Sequence, residues 1–376
     1  MKSIIHVLVI GYLLSLSSCS KKSFISSSSI KSDNFVSVYD NKKTHLVRLV
    51  NSNGLEVCIT NYGARIVSLM VPDKNGKFED IVCGFDNIAS YSSQKQNFGS
   101  VVGRYIGRIL GASFVLDETE YKLQAGGNGH CAHGGTPGFA DKVWQITSKK
   151  KNRVRLSYLS ADGENGFPGN LSITVTYTIS DNDELIIYYE ATTDKPTVLN
   201  PSNHSFFNIA GTLDKSINNQ LLWIDGDSIA EYDSAKCVTG RMMAVRNTPF
   251  DFSTLHKIGD RIDDDNSQLK VTGGYDHTWK LKNKGDVNVM VSKIYDDNSG
   301  RTMEVYTTEP GLHIYTANGH KGNIEGKKGI MYPKRNSICF ETMHFADSPN
   351  KPQFPSTVLR PNHKFESTTI FKFKYI

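Results

Sequence analysis

The chain has 376 residues, of which 38% are hydrophobic and 22% charged, as in an ordinary globular protein with enough apolar material for a sizeable core. Its formal net charge of +5 is small for this length, and acidic residues separate its short lysine clusters, such as those at 149–151 and 280–284. Such clusters are typical of a solvated surface and argue against a nucleic-acid partner.

The N-terminal region predicts an exported protein. Lys2 is followed by an apolar run over residues 4–16, and no acidic residue occurs before Asp33. The run is too short to span a bilayer comfortably, and it has the length of the hydrophobic region of a secretory signal peptide.

The apolar run ends in Leu16-Ser17-Ser18-Cys19, which resembles a lipobox, the signal after which a cysteine is acylated and becomes the mature N-terminus. Acyl chains hold a protein on a membrane through their buried methylene groups. We therefore expect a signal peptide over residues 1–18, lipidation of Cys19, and a flexible Ser/Lys-rich tether over residues 19–34. The alternative is a plain secretory peptide in which Cys19 is incidental. A lipid-anchored protein would lie outside the cytoplasm, on the periplasmic side of a bacterial membrane.

Five further cysteines follow, an odd number with no Cys-x-x-Cys spacing. This pattern fits neither a disulfide framework nor a zinc site. Buried free thiols are expected, with one disulfide left open as an alternative in an oxidising compartment.

Residues 35–376 are predicted to form one all-β domain, a large antiparallel β sandwich. Short segments that alternate polar and apolar side chains, or are rich in β-branched and aromatic residues, recur between Gly/Asn/Asp turns, as in such folds. Strands are predicted at residues 55–60, 153–158, 171–179, 184–191, 287–293, 301–306, 337–341 and 367–373. Helices of useful length are scarce, with a turn or two predicted at residues 86–91 and 252–259.

Two glycine-rich stretches place titratable side chains where they could face a cleft. Arg104 and Arg108 could clamp hydroxyl or carboxylate groups, although taken alone such arginines are more often surface charge. His130 and His133 precede two glycines that indicate a tight turn. No convincing third metal ligand lies nearby, so a hydrogen bond from one histidine to a ligand is favoured over a metal site.

Two further clusters suit acid–base chemistry. His204 is bracketed by Asn and Ser donors and by aromatic residues, a setting for proton transfer beside a sugar ring, with a structural core histidine as the alternative. Glu341 ends an apolar segment, so burial would raise the pKa of its carboxyl towards the range useful for a general base. A buried structural Glu paired with an Arg is the alternative.

Taken in order, these clusters resemble the aldose 1-epimerase family when they are joined by Gly273-Gly274-Tyr275-Asp276-His277 and the C-terminal string from Glu341 to Pro361. The resemblance runs from about Asn61-Tyr62-Gly63-Ala64 to the C-terminus. The C-terminal string is its most specific part, because so many spaced residues would rarely recur by chance.

The resemblance implies a large antiparallel β sandwich with an open sugar cleft. It implies interconversion of the α and β anomers of free aldoses such as galactose and glucose, with no cofactor and no metal. Glu341 would be the general base and His204 the general acid, while Arg108, His133 and Asp276 would bind the sugar. A protonated His204 and an ionised Glu341, kept charged by mutual attraction, would suit these roles. We expect a monomer whose partner is a small-molecule sugar.

Two positions depart from the family pattern. Gly107 stands where the family usually has Asn, and His313 stands where many members carry a sugar-contacting Gln, so His313 is counted as a further sugar-binding residue.

A non-catalytic carbohydrate-binding protein on the same scaffold would have been favoured by loss of Glu341 or His204. An enzyme for a phosphorylated hexose would need a cluster of cationic groups, and none is visible in the sequence. A glycoside hydrolase typically needs a second catalytic carboxylate, for which Asp276 is the only candidate.

Overall fold

The computed structural model describes residues 24–375, so the predicted signal peptide and Cys19 lie outside the described residues. Two antiparallel sheets form the main layers of the domain. The larger has nine strands in the spatial order Gln145–Lys149, Arg153–Ser160, Leu171–Ile179, Glu184–Thr193, Phe365–Tyr375, Arg301–Thr307, Met290–Tyr295, Leu221–Ile224 and His256–Lys257. The smaller has six strands in the order Phe206–Phe207, Ile338–Met343, Gly311–Tyr315, Asp276–Leu281, Gly226–Tyr232 and Val238–Ala244.

Shorter elements flank these layers. A four-stranded sheet joins Leu46–Val50, Glu56–Thr60, Arg65–Pro72 and Phe78–Asp80. The two-stranded pairs are Val38–Tyr39 with Lys42–Lys43, Ser100–Val102 with Ser202–His204, Arg108–Ile109 with Cys131–Ala132, Ser113–Leu116 with Thr119–Lys122, Thr197–Val198 with Val358–Leu359, and Ile324–Glu325 with Met331–Tyr332. The α-helices are Ile88–Gln94 and Ser267–Thr272, and the 3₁₀ turns are Ser32–Phe35, Leu110–Ala112, Phe139–Asp141, Glu164–Gly166, Ile258–Asp260, Lys327–Gly329 and Ser348–Asn350.

The core lies where the sheets face one another. Strand Glu184–Thr193 shows why, because every second side chain is buried while those between are at least partly exposed, which gives the strand one apolar face. The main apolar cluster draws side chains from all three large sheets, including Ile66, Tyr177, Trp279 and Phe371. Each such side chain stabilises the fold by roughly 1.5–3 kcal/mol when fully buried. The predicted all-β sandwich is confirmed.

Each predicted strand overlaps an observed one, and the segment at 171–179 has the bounds of strand Leu171–Ile179. The helical turn predicted at 86–91 corresponds to helix Ile88–Gln94, whose N-cap Asn87 accepts a hydrogen bond from the Ser90 amide. The turn predicted at 252–259 is wrong in part. His256–Lys257 is an extended strand that pairs with Leu221–Ile224, and only the 3₁₀ turn Ile258–Asp260 follows it.

The described end of the predicted tether, residues 24–34, is packed against the domain rather than flexible. The Ser27 amide donates to Glu56 Oε1 at 2.7 Å, and Ile30 is buried in an apolar cluster. The Phe24 ring lies 5.4 Å from the Arg48 guanidinium. Apolar residues spaced among the serines explain the difference, because burying them offsets the entropy of ordering the segment.

The five cysteines of the described residues are buried free thiols, as expected: Cys58, Cys83, Cys131, Cys237 and Cys339. Within residues 24–375 the α-helices have seven and six residues, far short of the roughly 20 that a bilayer requires.

Candidate active site

The candidate site residues of the described domain converge on one open cavity of about 510 Å³, a size typical of small-molecule sites. They come from separate segments of the chain that strand pairing brings together. They are Arg108, His133, His204, Asp276, His313 and Glu341.

Three of these side chains form a row across neighbouring strands of the six-stranded sheet. His313 lies directly opposite Glu341 on one side and opposite Thr278 on the other. Asp276 shares a face with Thr278, because residues two apart on a strand point the same way. The register therefore places Asp276, His313 and Glu341 on one surface that lines the cavity.

His204 reaches Glu341 from a different strand pair. It ends strand Ser202–His204, and Phe206 two residues later pairs with Cys339 on the strand that carries Glu341. His204 Nε2 lies 3.4 Å from Glu341 Oε1, and the imidazole stacks on the Phe206 ring with centroids 5.0 Å apart. Both side chains are buried, His204 being 6% and Glu341 3% exposed. The structure thus holds the two titratable groups in direct contact on one wall of the cavity.

Burial dominates the charge of this pair. Desolvation, with the nearby His133 and His313, lowers the pKa of His204 to about 3. Desolvation raises the pKa of Glu341 to about 7, although His313 opposes the rise. The expectation that mutual attraction would keep both groups charged is therefore wrong, because burial shifts the pKa of each side chain towards its neutral form.

Asp276 and His313 form a tighter pair beside the first. His313 Nε2 lies 2.9 Å from Asp276 Oδ1, and His313 Nδ1 lies 2.9 Å from Thr278 Oγ1. Burial alone would lower the pKa of His313, but the hydrogen bond to Asp276 and the charges of Glu341 and Asp276 raise it above its ordinary value. For Asp276, burial is outweighed by the hydrogen bond and charge of His313, which lower its pKa. Each partner thus favours the charged form of the other, His313 as an imidazolium and Asp276 as a carboxylate.

Arg108 lies in the strand pair of Arg108–Ile109 with Cys131–Ala132, and His133 lies in the turn that follows Ala132. The His133 amide donates to the Gly107 carbonyl at 2.9 Å, which ties the two segments together. A Cβ on Gly134 (φ +83°) would fall 2.1 Å from the Gly103 carbonyl oxygen, so the turn that presents His133 requires glycine there. The His133 Nδ1 atom is buried without a hydrogen-bond partner among the described residues. Burial and the Arg108 charge lower the pKa of His133 to about 4, so the imidazole is neutral and able to exchange a hydrogen bond with a ligand.

Two neighbours of these residues in the sequence have other roles. Arg104 is 2% exposed, and its guanidinium donates to the backbone carbonyls of Pro168 and Gly169, which makes it a structural brace. His130 Nδ1 accepts from the Gly111 amide and does not line the cavity. The sequence could not show that Arg104 is structural while Arg108 lines the cavity. The two arginines differ in burial, which their spacing does not reveal.

Sequence reasoning missed part of the cavity wall. Tyr232, Asn318 and His320 line it, as do two lysines, Lys95 and Lys236. With Arg108 these lysines form a cationic rim that the sequence did not reveal, because the three residues are far apart in the chain. Lys95 is paired with Asp141 at 3.1 Å.

In the described part of the chain, one group of side chains could hold a metal ion. Its members are His204, Cys339 and Glu341, whose potential ligand atoms lie within 4.8 Å of one another. The donor set would suit a thiophilic cation. Burial raises the pKa of the Cys339 thiol well above its usual range, so a metal would have to displace a strongly held proton.

The fold and the cavity together define an all-β protein with a buried His–Glu pair at an open polar site. The Aldose 1-epimerase family model matches residues 45–372. Galactose mutarotase from Homo sapiens is 37% identical over 324 residues, which cover 86% of this chain and 92% of that protein. Aldose 1-epimerase from Escherichia coli K12 is 31% identical over 336 residues, covering 89% and 96%.

Solved structures agree. An aldose epimerase homologue from C. elegans superposes with a TM-score of 0.82 at 27% identity, covering 89% of this chain and 99% of the other. Galactose 1-epimerase from Lactobacillus acidophilus superposes with a TM-score of 0.78 at 27% identity, covering 90% and 96%. The chain belongs to the aldose 1-epimerase family.

Proposed function

We propose that this chain is an aldose 1-epimerase that interconverts the α and β anomers of free aldohexoses such as galactose and glucose. The observation that carries the proposal is the buried contact of 3.4 Å between His204 and Glu341 on the wall of an open polar cavity. The names of the relatives, galactose mutarotase and aldose 1-epimerase, support the same reaction.

The reaction moves two protons and breaks one bond. A proton leaves the anomeric O1 hydroxyl while another reaches the ring oxygen O5, and the C1–O5 bond breaks to give the open-chain aldehyde. Rotation about C1–C2 and reclosure yield the other anomer. A base at O1 and an acid at O5 each accelerate such a step by about 10²–10⁴.

A single proton on the His204–Glu341 pair is sufficient for both half-reactions. Before a sugar binds, the raised pKa of Glu341 and the lowered pKa of His204 favour Glu341 as the holder of that proton. When a sugar binds, the proton passes to His204 across their contact, which leaves Glu341 ionised. His204 then protonates O5 as Glu341 takes the O1 proton. Reclosure reverses both transfers, so the pair ends each turnover with its one proton.

Asp276, His133 and Arg108 orient the sugar in this scheme. The Asp276 carboxylate accepts hydrogen bonds from hydroxyl groups, and the His133 imidazole, which also lines the cavity, supplies a further contact. Positioning of this kind lowers the entropic part of the barrier.

A non-catalytic sugar-binding protein on the same scaffold is the weaker alternative. Holding a carboxyl group whose pKa is raised to about 7 costs folding stability at neutral pH, and binding alone gains nothing from it.

Polarimetry tests the proposal. Residues 20–376 should speed the decay of optical rotation of freshly dissolved α-D-galactose or α-D-glucose well beyond the buffer rate. Glu341→Gln should abolish the gain with folding unchanged by circular dichroism. If the wild-type chain does no better than buffer on any common aldose, the proposal fails.

We also propose that Cys19 is acylated and anchors the domain on the periplasmic side of a bacterial membrane. The support is the lipobox-like Leu16-Ser17-Ser18-Cys19. Phe24 packs against Arg48 on the domain, so the chain from Cys19 to Phe24 spans at most roughly 17 Å and would hold the domain close to the membrane. Cys19→Ala should release the protein from the membrane fraction, and unchanged fractionation would contradict acylation.

A further inference from the structure

His313 has no ring nitrogen left for a sugar. Nε2 is engaged with the Asp276 carboxylate and Nδ1 with the Thr278 hydroxyl, both at 2.9 Å. The two partners lie on the same face of strand Asp276–Leu281, so they hold the imidazole between them. A hydrogen bond from His313 to a sugar hydroxyl would require one of these bonds to break.

The same imidazole faces Glu341 from the other side. His313 and Glu341 are direct cross-strand partners, and in an antiparallel pair such side chains have Cβ atoms about 4.5–5.5 Å apart. The row therefore runs carboxylate, imidazole, carboxyl across three strands, and every member lines the cavity. An imidazolium at the centre of this row attracts negative charge on both neighbours.

We propose that His313 is a positioning residue, an imidazolium that fixes the Asp276 carboxylate and stabilises the ionised form of Glu341, rather than a ligand of the sugar. The kinetic consequences of this proposal rest on the proposed function. The interactions of His313 with Asp276 and Glu341 do not depend on a sugar. In catalysis His313 helps Glu341 to release its proton to His204 before ring opening.

The charges around His313 agree with this role. Glu341 and Asp276 raise its pKa, while Arg108 opposes them. His313 in turn lowers the pKa of Glu341 against the effect of burial. The other titratable groups whose charge couples to His313 are the three neighbouring imidazoles His133, His204 and His277.

The pH dependence of kcat/KM in His313→Gln tests the proposal. Gln keeps a donor for Asp276, and its amide oxygen accepts from the Thr278 hydroxyl, which in wild type accepts from the imidazolium Nδ1–H, but Gln carries no charge. Loss of the cation raises the pKa of Glu341, so the His204–Glu341 pair keeps its single proton to higher pH. The alkaline limb of the profile should therefore move up by about one pH unit. Because the reactive form carries its proton on His204 beside an ionised Glu341, the plateau of kcat/KM below this limb should fall by a comparable factor, whereas a merely structural role would lower the rate without moving the limb. An alkaline limb that stays in place would overturn the proposal.

A reciprocal measurement does not depend on turnover. Imidazole resonances followed by NMR in the sugar-free protein should show His313 titrating above its ordinary pKa in wild type. In Glu341→Gln the pKa of His313 should fall by about the same amount as the pKa of Glu341 rises in His313→Gln, because coupling between two sites is mutual. If the pKa of His313 is the same in wild type and in Glu341→Gln, the proposal is overturned, even if the chain epimerises aldoses. If no aldose is epimerised, this titration still decides the role of His313.

Discussion

Two His–Glu pairs in the molecule show what distinguishes a reactive pair from a structural one. His344 Nδ1 lies 2.7 Å from Glu309 Oε2, and the His344 amide also donates to Asn200 Oδ1. His204 Nε2 lies 3.4 Å from Glu341 Oε1, beyond an ordinary charge-assisted hydrogen bond. The first pair is outside the catalytic cavity, whereas the second lines it.

The difference teaches that residue type alone does not define the site. In the His344–Glu309 pair the short hydrogen bond satisfies the carboxylate, so there is little left for a ligand to gain. In the His204–Glu341 pair the long contact and deep burial leave hydrogen-bonding capacity that a sugar would fill. The comparison predicts opposite outcomes when each glutamate is replaced by Gln.

The largest expected effect is on turnover. Glu341→Gln should reduce kcat by about 10²–10⁴, because the amide neither accepts nor returns the O1 proton. Glu309→Gln is the matched control and should keep kcat within about threefold of wild type. Initial rates by polarimetry would measure both. Equal losses in the two variants would mean that the pairs do not differ in function.

The same two substitutions, Glu341→Gln and Glu309→Gln, should change the free energy of unfolding in opposite directions. A raised pKa means that folded Glu341 binds its proton more tightly than the unfolded chain does, so the contribution of Glu341 to stability falls as pH rises from about 4.5 to about 7. The cost at pH 8 is about 3 kcal/mol, and Glu341→Gln should recover a large part of it. Glu309→Gln should instead destabilise the fold by about 1–3 kcal/mol, because it weakens a satisfied buried bond. Urea unfolding at pH 5 and pH 8 would measure both changes, and a loss of stability at pH 8 in Glu341→Gln would contradict the assignment.

The pH profile should show the same contrast. The His204–Glu341 pair loses its single proton as pH rises through about 7, so kcat/KM should fall by about tenfold per unit above that value. Glu309→Gln should leave the profile in place. Activity that stays level to pH 9 would contradict a catalytic pair that loses its proton near pH 7.

The smallest effect concerns orientation of the sugar. His133→Leu removes both ring nitrogens from the cavity wall and should raise KM by about tenfold with less change in kcat. His130→Leu, three residues earlier and outside the cavity, should leave KM unchanged. Progress curves over a range of galactose concentrations would separate the two parameters. An equal effect of both substitutions would indicate a general disturbance of the turn.

Much of the fold could be predicted from the sequence because the strands are amphipathic or uniformly apolar. Strand Leu171–Ile179 follows directly from its β-branched pattern and keeps one face buried. The helical turn predicted at 252–259 is partly wrong because strand His256–Lys257 depends on pairing with Leu221–Ile224, which is distant in the sequence. The order in residues 24–34 was missed because serine-rich composition hides the buried Ile30.

The site was predictable in its membership but not in its electrostatics. The motifs that resemble the family pointed to His204 and Glu341, and the structure brings them together. Their charge depends on how completely the fold removes water, which no local pattern encodes. The same limit applies to His313, whose partners Asp276 and Thr278 are defined only by strand register.

The most direct test of the central claim is the exchange between anomers measured at equilibrium. NMR magnetisation transfer between the α and β anomeric protons of galactose reports ring opening and reclosure without other steps. At pH 6 the wild-type protein should produce exchange well above the buffer rate, Glu309→Gln should match it, and Glu341→Gln should fall to the buffer rate. Exchange in wild type no faster than in buffer, or undiminished in Glu341→Gln, would contradict the account.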